Sequence, residues 1–169
     1  FSTGLYIIYA DKEKSSIDLK VQKLDTGPTP YWDNGGLTAM VGLDGDIKYT
    51  SNFRKGDEDF FLTWEDNRAT KKIYATRIIN SAIQYNNGKQ ISFSDNSSDD
   101  NTSPNVLKNE SNFYVGTYDA TSSPKFLKIN KLNEQLDNIW YSTGIAISPE
   151  ADMRTGMLVN ITIGVGCLW

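Results

Sequence analysis

Three segments of one pattern stand 54 residues apart in this chain: Leu19-Lys20-Val21-Gln22-Lys23-Leu24, Ile73-Tyr74-Ala75-Thr76-Arg77-Ile78 and Leu127-Lys128-Ile129-Asn130-Lys131-Leu132. Each has an apolar first residue, a small or branched third, a basic fifth and an apolar sixth. Ahead of each lies a short aromatic and β-branched run, namely Leu5 to Tyr9, Phe60 to Trp64 and Phe113 to Tyr118. Such runs read as strands. An acidic turn separates run from segment in each case: Ala10-Asp11-Lys12, Glu65-Asp66-Asn67 and Asp119-Ala120-Thr121. A third feature keeps the same phase. Tyr31-Trp32-Asp33-Asn34-Gly35, Gln84-Tyr85-Asn86-Asn87-Gly88 and Trp140-Tyr141-Ser142-Thr143-Gly144 each lead into a short strand. Asn-Gly or Thr-Gly after an aromatic residue reads as a hairpin tip, glycine supplying the positive φ.

A period of this length with three or four short strands per unit predicts an all-β fold of β-propeller-type repeats. The units run over about 5–57, 58–111 and 112–160, and Val165 to Trp169 begins a fourth. The whole of 1–169 reads as one repeat region. No window is patterned as a helix, because Gly, Asn, Ser and Asp interrupt each one. The alternative is a β-sandwich whose strands merely look alike. Three units do not close a propeller ring, which uses about four to eight blades. The expected complement is the remainder of a larger chain, or a large protein assembly. The ends agree: Phe1 is not preceded by Met, and the chain closes on an apolar run from Gly164 to Trp169. Both ends read as processed or excised, and both open faces are expected to be covered by further protein.

Composition removes several chemistries. There is no His, so neither a Ser-His-Asp nor a Cys-His couple can form, and no His-ligated zinc. Cys167 is the one cysteine, which precludes an intrachain disulfide; it reads as a small buried hydrophobe. A net charge of −4 with four Arg argues against nucleic acid. No apolar stretch is long enough for a helix to span a membrane, so membrane insertion is not expected.

The run Phe61-Leu62-Thr63-Trp64-Glu65-Asp66-Asn67-Arg68, with Lys72 to Ile78 and Asn87-Gly88-Lys89-Gln90-Ile91-Ser92, resembles a known repeat. It is similar to the propeller-like units of large secreted and surface proteins of Bacteroidota, many exported by type IX secretion. The shared pattern is a Trp-acidic-Asp-x-Arg turn, an Ile-Tyr-Ala-x-Arg-Ile strand, then Asn-Gly-x-x-Ile-Ser. The middle unit matches almost throughout. The first has Tyr9 for the Trp and Glu13 for the Arg, and the third lacks the Asp-x-Arg turn. The resemblance covers about residues 5–148 and implies an extracellular or cell-surface location. It identifies architecture better than activity.

The candidate ligand-binding residues are the recurrent aromatics Trp32, Tyr85 and Trp140 and the pair Asp66 and Arg68. The aromatics could stack on sugars, but packing between blades is the favoured reading. Asp66 and Arg68 are expected to hold their turn. Arg77, matched by Lys23 and Lys131, reads as a repeated inter-blade contact. Asp25-Thr26-Gly27 and Asn133 to Asp137 weakly resemble the Asp-box hairpin of sialidase-like propellers. The acidic stretch Asp95 to Asn101 and Asp44-Gly45-Asp46 lack EF-hand spacing and read as solvated loops. No catalytic group, cofactor or metal is expected. Sequons at Asn96, Asn101, Asn109 and Asn160 matter only in a glycosylating host.

The function expected is therefore a non-catalytic extracellular surface segment, a scaffold or adhesive module that could bind glycans. Two alternatives stand beside it. One is a sialidase-like or other carbohydrate-active enzyme, and the other is a sugar-binding lectin in which oligomers complete a ring.

Overall fold

The computed structural model describes residues 5–13, 16–25, 27–33, 35–43, 47–55, 59–66, 71–91, 101–119, 126–140, 144–148, 157–161 and 164–168. All of its regular structure is β. The strands are β1 (Leu5–Glu13), β2 (Ser16–Leu24), β3 (Leu37–Leu43), β4 (Ile47–Lys55), β5 (Asp59–Asp66), β6 (Lys72–Ile79) and β7 (Ala82–Ile83). They continue with β8 (Lys89–Gln90), β9 (Asn101–Asn109), β10 (Asn112–Asp119), β11 (Phe126–Leu132), β12 (Ile145–Ser148), β13 (Met157–Ile161) and β14 (Gly164–Leu168).

Among the described residues every pairing is antiparallel, and no sheet closes on itself. The first sheet is β1-β2-β3. The second runs β4-β5-β6, with β7 and β8 both on the far edge of β6. The third is β9-β10-β11-β12, and β13-β14 form a two-stranded ribbon. The sheets therefore begin at β4, β9 and β13, one strand earlier than the sequence repeat. Those strands diverge in sequence, yet they are where sheets meet: β9 lies against β4, β5 and β6, and β13 lies against β9 and β10. Pro104 falls where β9 bulges against β10 between Gly116 and Tyr118, as expected of a residue with no N–H for the ladder.

Register makes the repeat explicit. Leu24, Ile78 and Leu132, 54 residues apart, stand opposite Leu5, Phe60 and Phe113. Leu19, Ile73 and Leu127 stand opposite Ala10, Glu65 and Tyr118, and all three are buried. Directly opposed residues share a face, so a one-residue slip would exchange core for solvent. Asp11, Asp66 and Asp119 fall at one register position inside their strands, opposite Asp18, Lys72 and Phe126, rather than in the turns the sequence suggested.

Each sheet has a rear face toward its predecessor and a front face toward its successor. The first junction packs Leu19, Val21, Ala39 and Met40 of the first sheet against Phe60, Leu62, Trp64 and Ile78 of the second. The second packs Phe61, Ile73, Ala75 and Ile91 against Val106, Phe113, Val115, Leu132 and Leu136. The middle sheet is thus buried on both faces, which is why β5 and β6 read as nearly continuous apolar runs. One aromatic stack recurs at both junctions. Tyr6 lies on Phe60 with ring centroids 4.6 Å apart, and Phe61, at the position of Tyr6, lies on Phe113 at 4.3 Å. Among the described residues the rear face of the first sheet has nothing behind it, leaving Leu5 59% and Ile7 39% exposed.

Candidate functional site

The hairpin aromatics occupy one structural position. Tyr31, Gln84 and Ile139 donate their backbone N–H to Lys23, Arg77 and Lys131, so Trp32, Tyr85 and Trp140 follow in phase. A polar side chain on the strand below holds the hairpin in place. Gln22 donates from Nε2 to the Trp32 carbonyl at 2.9 Å and accepts the Trp32 N–H at its Oε1. Thr76 donates its hydroxyl to the Tyr85 carbonyl at 3.0 Å and accepts the Tyr85 N–H. Asn130 donates to Asn138 Oδ1 at 2.7 Å. Gln22, Thr76 and Asn130 are 54 residues apart, a signal present in the sequence that attention to the apolar columns passed over.

What the aromatic rings meet differs along the chain. Trp32 packs on the first junction core beside Tyr6, and Tyr85 packs on the second and donates its hydroxyl to the Gln135 carbonyl at 2.5 Å. Trp140 rests edge-on against Tyr114, with Lys131 over both rings, and stays 37% exposed. Gly35, Gly88 and Gly144 all have the positive φ expected of the hairpin tips. At Gly88 the reason is also space, since a Cβ would lie 2.5 Å from the Trp64 ring.

In the basic column, Arg77 joins two units, whereas Lys23 lies over Tyr31 and Lys131 over Tyr114 and Trp140 of their own units. Arg77 forms a two-point ion pair with Asp59 through Nη2 at 2.7 Å and Nε at 3.2 Å. It also donates to the Glu134 carbonyl at 2.6 Å and lies over the Phe113 ring. Its guanidinium therefore ties the second sheet to the third. Lys89 adds an ion pair with Asp137, and Lys108 another with Glu134. The Lys89 ammonium, and then the Asn133 amide, hold the Asp137 carboxyl below the ordinary carboxylate range. Asn133 Oδ1 also accepts the N–H groups of Gln135 and Asp137. The segment from Asn133 to Asp137 is thus a turn braced from within and gripped by the preceding unit, with Leu136 in the junction core.

Asp66 is fully buried and accepts from Trp64 Nε1 at 3.3 Å. Its counterparts form ion pairs, Asp11 with Lys20 at 2.5 Å and Asp119 with Lys128 at 2.6 Å. Tyr74 stands where those lysines do and stacks on Trp64. Arg68 lies outside the described residues, as do Arg154, Asp44-Gly45-Asp46 and the stretch from Asp95 to Asp100 with the sequon at Asn96.

The structure thus places Trp32, Tyr85 and Trp140 on successive units rather than in one pocket, and Asp66 within a core. Among the described residues no three of His, Cys, Asp and Glu cluster as metal ligands. Comparison with protein-family models, with characterised proteins and with solved structures finds no match to this chain.

Proposed function

We propose that the chain is a propeller-type repeat region of an extracellular or cell-surface protein, serving as a non-catalytic scaffold or adhesive module. One observation carries the reading: the polar and aromatic residues at the hairpin of the middle unit are spent on joining the second sheet to the third. Arg77, Tyr85 and Lys89 all bind the hairpin of the following unit. Equivalent positions form both junctions, and the first strands of successive sheets run against one another, as blades do around an axis. The surface location rests on the resemblance of residues 61–92 to the repeats of Bacteroidota surface proteins. Trp140, with Lys131 and Tyr114 beside it, is the aromatic left to meet a glycan.

Electron microscopy of the protein isolated from its source tests the architecture: a disc with a central channel is expected, and a solid two-layer particle overturns the propeller. A glycan panel tests the role. The glycans should remain intact, and any binding should fall on Trp140→Ala with the fold unchanged. Release of sugars would establish the enzyme instead. Recovery of the native protein in the cytoplasmic fraction would overturn the surface location.

A further inference from the structure

We draw no further inference here: the strongest candidate, the side-chain cluster of Tyr31, Trp32 and Lys23 at the hairpin of the first unit, carries nothing, because the one polar group in it without a partner, the Trp32 indole N–H, is sealed from solvent and cannot meet a ligand lying on the exposed Tyr31 ring.

Discussion

Trp64 and Trp140 show how far one residue type can differ in this chain. Trp64 is fully buried, with its ring against Tyr74 and its N–H on Asp66. Removing a core aromatic costs about 3–5 kcal/mol, so Trp64→Ala should lower the urea-unfolding free energy by that amount. Trp140→Ala removes a ring that is partly in solvent and should cost about 1 kcal/mol or less. Equal losses would mean that Trp140 is buried in solution. Gly88 belongs to the same account. Its φ of +72° disfavours any side chain, and a Cβ would strike the Trp64 ring, whose buried position leaves it little room to yield. Gly88→Ala should therefore cost more than about 1 kcal/mol, the usual conformational penalty, and shift the thermal midpoint downward.

At the scale of elements, the links between units are polar as well as apolar. Arg77 is almost buried, and cutting it back leaves Asp59 and the Glu134 carbonyl without their shared partner. Breaking a buried pair of this kind costs about 3 kcal/mol or more. Arg77→Ala should show that loss in chemical denaturation, and Arg77→Lys should restore only part of it because lysine cannot reproduce the two-point contact. The Lys89–Asp137 pair makes a different prediction because Asp137 lies in solvent. Its folded-state pKa is depressed, so its contribution is present above the ordinary carboxylate pKa and is lost as pH falls through the lower folded value. Asp137→Asn should be slightly less stable than the parent at neutral pH, and the two should converge at strongly acidic pH. A gap that persists there would mean that the ion pair is not its source.

For the whole molecule, the order of the sheets sets the order of stability. The middle sheet is covered on both faces, whereas among the described residues nothing covers the rear face of the first or pairs with the outer edge of β1. Amide exchange reports such differences because local opening costs least where little apolar surface is lost. Protection should be greatest in β5 and β6 and lower in β1.

The sequence by itself determined the strands, the period and the tight turns. These follow from local properties: aromatic and β-branched runs in β1, β5 and β10, nearly continuous apolar character in β5 and β6, and glycine at positions of positive φ. The equivalence of Leu19, Ile73 and Leu127 was legible because a 54-residue period must bring the same face to the same environment. Tertiary structure alone decided which strands share a sheet. β4 pairs forward with β5 rather than backward with β3, and strand pairing between divergent sequences leaves no local mark. It alone also decided that Asp66 is a core acceptor, that Arg77 finds Asp59 and Glu134, and that Leu136 enters the neighbouring unit. Partners that lie 18 or 57 residues away, as Asp59 and Glu134 do from Arg77, are chosen by how the sheets stack. Trp32, Tyr85 and Trp140 look alike in sequence because their hairpins are alike; they differ in space because, among the described residues, the first two pack on a core shared with the next sheet.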